Sequence, residues 1–328
     1  MKSVSYILFL FLSVCGTTAQ NGEEVFTFLR YPSSARVSAL GGNHVSVVER
    51  DPSLVFHNPA LGGAEMDGMV NLNYMNFVSD IHQGSALYTK AWGENGAWGI
   101  GANFISYGNF RQTTEEKWTE GEFSVEDMSL SVFYSRNLSE RWRGGLALKF
   151  LYSSLESYTS FGLAADAGLS YYDSEKEFSA GVVLKHAGAQ LKAYYDKQGR
   201  LPWDIQMGFS KRLAYAPFRL SLTAMYLNTW DFSYIDHTRP AYEGDTFFQT
   251  FVKHFVLGVD FIPSENFWLG LGFNPKTQAD MKLQSGSSGL SGFSAGGGVK
   301  IKTFDVGVSI ARYHPSALSL MLSVSATL

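Results

Sequence analysis

LSLMLSVSATL, residues 318–328, is the stretch on which the fold turns. Leu318, Leu320, Leu322, Val324, Ala326 and Leu328 fall on one side of an extended chain, and Ser319, Met321, Ser323, Ser325 and Thr327 on the other. A strand points successive side chains to opposite faces, so the segment carries one apolar face and one of mostly small polar groups. Immediately upstream, Phe304, Val306, Val308 and Ile310 alternate with Asp305, Gly307 and Ser309. The same period recurs backwards to about residue 68: Phe218, Leu220, Leu222, Ala224 and Tyr226; Leu146, Leu148 and Phe150; Trp98, Ile100, Ala102 and Phe104.

Soluble sandwiches also alternate, so length and spacing must decide. Most segments run about 10 to 12 residues, the span of a tilted strand in a bilayer, where soluble strands average about 5 to 6. The pattern predicts about fourteen strands, near 68–77, 83–92, 96–106, 123–135, 141–154, 161–172, 176–187, 203–212, 216–228, 250–262, 266–275, 290–301, 303–313 and 317–328. Tight connections alternate with long ones at 107–122, 188–202, 229–249 and 276–289. Such asymmetry and an even strand count belong to bacterial outer-membrane barrels, and they place both termini in the periplasm. Trp92, Trp142, Tyr152, Tyr172, Trp203 and Tyr226 sit toward segment ends, as in interfacial girdles.

The start of the chain reads as an export signal. Lys2 precedes an apolar core, Tyr6 to Val14, and Thr17-Thr18-Ala19 ends it with small residues. Cleavage after Ala19 or Gln20 removes Cys15, the one cysteine, and with it disulfides and thiolate metal sites. Acylation of Cys15 is disfavoured by Val14 before it. The division is therefore 1–20 signal peptide, 21–67 plug segment and 68–328 barrel. Charged residues make up 17% of the chain and the formal net charge is -4. No Lys/Arg-rich block is present, which argues against nucleic acid as a partner.

Residues 21–67 break the alternation. Ser33-Ser34-Ala35-Arg36, Ala39-Leu40-Gly41-Gly42, Asp51-Pro52-Ser53 and Asn58-Pro59-Ala60-Leu61 follow one another there. Gly41-Gly42 permits positive φ, and Asp-Pro and Asn-Pro favour turns, as a segment folded into a lumen would need. The order Ala-Arg-x-x-Ala-Leu-Gly-Gly, Asp-Pro-Ser, Asn-Pro-Ala-Leu resembles the opening of the PorV/PorQ group of FadL-related barrels of Bacteroidetes, most closely its PorQ-like branch. The resemblance is sharpest over residues 25–62, with Gly41, Gly42, Asn58, Pro59 and Ala60 in the plug motif. It implies an outer-membrane barrel of the type IX secretion system. Such a barrel holds a soluble PorZ-like protein at the surface, with PorU- and PorV-like members, where cargo is joined to lipopolysaccharide. One departure is Leu328, where many outer-membrane barrels end in Phe or Trp.

No catalytic constellation stands out. His44, His57, His82, His186, His237, His254 and His314 show no zinc-ligand spacing and read as loop and rim residues. Gly286-Ser287-Ser288-Gly289 and Gly296-Gly297-Gly298 lack the helix that a phosphate cradle requires. Glu115, Glu116, Glu120, Glu122 and Glu126 read as a solvated acidic loop. Neither a Gly-x-Ser-x-Gly elbow in a helical setting nor a cofactor motif occurs, so no enzyme is expected. Loop 229–249 instead carries Trp230, Phe232, Tyr234, Arg239 and Tyr242, and loop 188–202 carries Tyr194, Tyr195 and Arg200. These residue types dominate binding hot spots, and a partner-docking rim is one reading; packing of the loops over the barrel mouth is the other. A FadL-like transporter of hydrophobic molecules, a PorV-like shuttle for cargo signal domains and a secreted adhesin are the competing functions.

Overall fold

The computed structural model describes residues 24–113, 119–195, 197–230, 232, 246–281, 289–314 and 317–328; the signal segment lies outside them. Fourteen antiparallel strands close into one barrel. They are β1 (Met69–Asn76), β2 (His82–Ala91), β3 (Gly96–Thr113), β4 (Thr119–Asn137), β5 (Trp142–Leu155), β6 (Tyr158–Asp173) and β7 (Phe178–Lys192). The second half is β8 (Asp204–Arg212), β9 (Phe218–Ala224), β10 (Phe255–Ser264), β11 (Phe267–Phe273), β12 (Phe293–Ile301), β13 (Phe304–His314) and β14 (Ala317–Thr327). The ring closes where β1 meets β14, from Met69 opposite Thr327 to Asn76 opposite Leu320. Closure gives every strand a partner on each side, as a bilayer without hydrogen-bonding partners demands.

The two faces follow the alternation. Leu146, Leu148 and Phe150 of β5 and Leu318, Leu320, Leu322 and Val324 of β14 are exposed on the outside. Leu72, Ile100, Leu130, Phe209, Leu257 and Leu269 continue this apolar surface around the ring. A belt of that extent is stable against lipid and not against water. Many inward positions are small or polar, Asn71, Asn73, Ser85, Ser129, Ser131, Ser135, Ser221 and Ser294 among them, and Leu87, Phe133, Leu151 and Trp268 are large apolar exceptions.

Residues 24–67 fill the lumen. Helix α1 (Ala35–Ala39) is buried along its whole length. Short 3-10 turns at Thr27–Arg30, Pro52–Phe56, Pro59–Leu61 and Ala64–Met66 carry the rest of the path. Asp51 and Asn58 cap two of these turns through their side chains, accepting from Ser53 N and Ala60 N, each with proline as the next residue. The path begins in the long-loop half, where Val25 N donates to Arg200 O at 2.9 Å. It ends at the short-turn rim, where Leu328 N donates to Gly68 O at 2.9 Å. The barrel's own two ends thus share the short-turn rim, while Glu24 lies toward the other.

Several boundaries differ from the sequence expectation. The long loop expected at 107–122 is mostly strand: after a bulge at Gly108 (φ 82), β3 and β4 pair on from Asn109 opposite Ser124. Phe110 stacks on Phe123 across that ladder at 5.5 Å, which stabilises the extension. Glu122 and Glu126 are accordingly strand residues, and Glu115 and Glu116 lie outside the described residues. The strand expected at 250–262 begins only at Phe255, because Phe247–Lys253 forms helix α2 behind a capping box of Thr246 and Gln249. The strand expected at 216–228 stops at Ala224; Tyr226 takes φ 58 and turns inward under Arg30, so it is no girdle residue. Part of loop 276–289 is helix α3 (Pro275–Asp280), packed on α2. Wall height is uneven: β3 to β7 have 14–19 residues and β8 to β12 have 7–10. The last β7–β8 pair is Lys185 with Asp204, so the upper part of β7 pairs with β6 alone.

Candidate functional site

Two regions carry the chemistry: the seam between plug and wall, and the long-loop rim. The seam is built by backbone contact. A Cβ on Gly145 would overlap the Pro59 carbonyl and Ala60 N, and one on Gly272 would overlap Gly41 N. Asn58 is fully buried; its Nδ2 donates to Val45 O at 2.9 Å, and its Oδ1 accepts from Ala60 N at 3.0 Å. The Gly41-Gly42 corner, at φ 97 and 87, is held from the wall. Gly41 N donates to Ser294 Oγ at 3.0 Å, Ser294 Oγ donates to Ala39 O at 2.9 Å, and Asn274 Nδ2 donates to Gly41 O at 3.3 Å. Gly296 of the triple glycine faces Ala39, which leaves the helix room to lie against β12.

Charge locks the same seam. Arg219 of β9 bridges Glu49 of the plug at 2.6 Å and Asp260 of β10 at 2.7 Å. Arg36 of α1 stands 3.4 Å from Glu49 and 3.8 Å from Asp260. Burial disfavours the Glu49 charge, but Arg36 and Arg219 outweigh it and hold its pKa down to about 2. A depressed carboxyl stabilises the seated plug fully above the ordinary glutamate range, and the contribution is lost progressively as pH falls from that range to about 2. The plug should therefore resist pepsin near pH 4, where a free glutamate is about half protonated, and become cleavable near pH 2. Cleavage at both pH values alike would show that this pair does not hold it. On the opposite wall, Lys149 pairs with Asp166 at 2.6 Å beside the β6–β7 bulge, and Asp166 also accepts from His186 N at 2.7 Å.

These charged residues were missed by the motif search, although a signal existed. Arg219, Asp260, Lys149 and Asp166 occupy inward places on strands whose inner neighbours are uncharged or apolar, and a charge there needs a partner. The histidines also differ from expectation: His44, His57, His186 and His254 are buried. Three of them serve the backbone, His44 Nδ1 accepting from Ser46 N and Val47 N, His57 Nε2 from Ser33 N, and His254 Nδ1 bonding Met225 O. Among the described residues no group of three His, Cys, Asp or Glu converges as metal ligands.

At the rim, Trp230 is 48% exposed and lies between Phe247 (ring centroids 6.3 Å) and His254 (4.4 Å). Phe232 is buried against Tyr226, with Lys276 over its ring at 5.1 Å. Tyr195 is 64% exposed on Tyr158, Tyr194 hydrogen-bonds Ser153, and Arg200 holds Glu24 at 3.2 Å. Tyr234, Arg239 and Tyr242 lie outside the described residues. The rim thus brings Trp230 and Phe232 together and sets Tyr195 apart. It adds Phe247 and Phe248 of α2, at 77% and 71% exposed, which fall in the expected loop 229–249 but were not singled out there. The Thr246-x-x-Gln249 spacing was the available signal.

Mid-lumen, between Phe28, Phe56, His57, Lys149 and Lys185, the free space is about 20 Å3, room for a single water. No family model and no curated protein matches the sequence. Solved structures do. The toluene transporter TodX of Pseudomonas putida is 11% identical, with a TM-score of 0.55 over 94% of this chain and 100% of its own. The monoaromatic hydrocarbon channel CymD is 12% identical, with a TM-score of 0.57 over 93% and 99%. A FadL homologue of Pseudomonas aeruginosa is 10% identical, with a TM-score of 0.51 over 93% and 99%. At such identities the likeness is one of architecture, and the architecture is that of the FadL-like outer-membrane barrels.

Proposed function

We propose that this chain is a sealed outer-membrane anchor that presents its long-loop rim to a soluble partner protein. The resemblance of its plug motif supplies the partner class: a PorZ-like component of a type IX attachment complex, with PorU- and PorV-like members nearby. In this reading the short turns and both barrel ends face the periplasm. The observation that carries it is the seam, where plug backbone lies directly on wall glycines, and the gap between Phe28, Phe56, His57, Lys149 and Lys185 has room for about one water. A binding scaffold needs a foothold and a rim; it needs no route through the wall. Trp230, Phe247, Phe248 and Tyr195 supply exposed aromatic surface of the kind that dominates binding energy.

The test is detergent purification of the native protein with mass spectrometry of what accompanies it. Trp230→Ala combined with Tyr195→Ala should cut partner recovery at least about tenfold while the barrel keeps its heat-modifiable mobility. Undiminished recovery would remove the rim from the account, and recovery of cargo signal domains in place of a PorZ-like protein would favour a shuttle.

A second reading is transport of hydrophobic molecules. The fold shared with TodX and CymD, together with the stretch of β7 that lacks a β8 partner, favours it. A deletion strain that loses uptake of an aromatic hydrocarbon but keeps normal surface attachment of secreted protein would decide for transport.

A further inference from the structure

The wall is lowest at β9 and β11. Each has seven residues, where a tilted strand needs about 9–11 to cross a bilayer. At about 3.3 Å per residue and a tilt near 45°, such a strand rises roughly 16 Å, against an outward apolar band of about 25 Å in outer-membrane barrels. Between these two strands, β10 carries Phe255, Leu257, Val259 and Phe261 in alternation on its lipid side.

Helix α2 stands directly on that column. Phe251 packs on Phe255 with ring centroids 4.9 Å apart, and Phe247 lies on Phe251 at 6.4 Å. Phe247, Phe248 and Phe251 are all exposed, and their spacing puts them within one apolar stripe of a helix. The other side is fixed to the protein: Lys253 and His254 are buried, and His254 Nδ1 bonds Met225 O at 2.8 Å. The helix, FFQTFVK, holds no carboxylate. The tops of the next strands are aromatic as well. Phe273 pairs with Leu257 on one side and with Phe293 on the other, the two phenylalanine rings 4.6 Å apart. Leu271 and Leu290 near them are exposed. The apolar surface therefore runs unbroken from the β10 column into the helix.

We propose that α2 belongs to the lipid-facing wall, with Phe247, Phe248 and Phe251 set among the acyl chains of the leaflet on the long-loop side. A face that continues the lipid belt gains there the same burial as the belt itself. A helix of this length adds up to about 10 Å, close to the height that the short strands lack. The occupant is the bilayer and not a soluble protein, because a protein docked on a continuation of the belt would stand in the plane of the membrane. Of the exposed aromatic surface at the rim, the share of α2 thus goes to lipid, and Trp230 and Tyr195 remain for a soluble partner. The proposal does not rest on that docking.

The full chain, with Cys15→Ser to clear the one native thiol, is inserted into phosphatidylcholine vesicles with bimane on a single introduced cysteine. At Phe248→Cys and Phe251→Cys the fluorescence should fall with a doxyl-labelled phospholipid as it does at Leu257→Cys, the belt reference, and hold with aqueous iodide. Gln198→Cys, exposed in the β7–β8 loop, should do the reverse. Iodide quenching at the two helix positions equal to that at Gln198→Cys would overturn the proposal. A second measurement varies the bilayer. Phe247→Ser, Phe248→Ser and Phe251→Ser combined should fold as wild type does in thin bilayers of short-chain lipid and lose folded yield in thick ones, the mark of a belt made too short. Unchanged yield at both thicknesses, or equal loss at both, would overturn it as well. Failure of partner docking at Trp230 and Tyr195 would leave both measurements unchanged.

Discussion

Replacing Arg219 with methionine should destabilise the plugged barrel by about 3–5 kcal/mol, the cost of stripping a buried carboxylate of its partner. Asp260 has a fully buried side chain, and its close hydrogen bonds come from Arg219. Glu49 would keep only the more distant Arg36. Wild type and variant would be compared by urea unfolding after insertion into lipid vesicles. Adding Asp260→Leu to Arg219→Met removes the stranded charge, so the double variant should recover a large part of the loss, as coupled neighbours do. Additive losses, or a single variant within about 1 kcal/mol of wild type, would mean that steric contact alone seats the plug.

The second large effect should come from valine at Gly145 or Gly272. Both positions touch plug backbone, so neither a rotamer change nor a small shift of one side chain makes room. Overpacking of this kind costs about 1–3 kcal/mol or more, and here the plug is the movable party. In planar bilayers the wild type should be electrically silent, whereas the valine variants should show open-channel steps and a protease-accessible segment around Pro59. Valine at Gly144, whose neighbour is the flexible tip of Leu138, is the control and should remain closed. Silent valine variants with a protected plug would show that the wall yields instead.

How much of this was legible depended on whether the information was local. The alternation in residues 304–328 reports which side chains face lipid, and β13 and β14 lie where it predicts. The tight connections were equally visible. Helix α2 was not, because Phe247, Phe248 and Phe251 suit a strand as well as a helix, and only the Thr246–Gln249 box distinguishes them. The length of β3 and β4 depended on the Phe110–Phe123 pair, a contact between residues that a loop reading separates. Arg219 and Asp260 face each other across the β9–β10 ladder, whereas Arg36 and Glu49 belong to the plug, and only the filling of the lumen brings the four together. The plug motif was read from its glycines and prolines, yet its counterpart is a set of wall glycines whose role appears only once the lumen is filled.

The segment that occupies the lumen is joined directly to β1, and β1 meets β14, the last strand to emerge during synthesis. Seating the segment while the ring is still open avoids threading a helix and a buried arginine into a finished hoop. Filling and closing are therefore expected to be one event in biogenesis, with thirteen strands curling around a passenger already laid between them before the final zipper is drawn. A nascent chain relieved of its passenger would close on water, and the price would appear in assembly yield before it appeared in any measured stability.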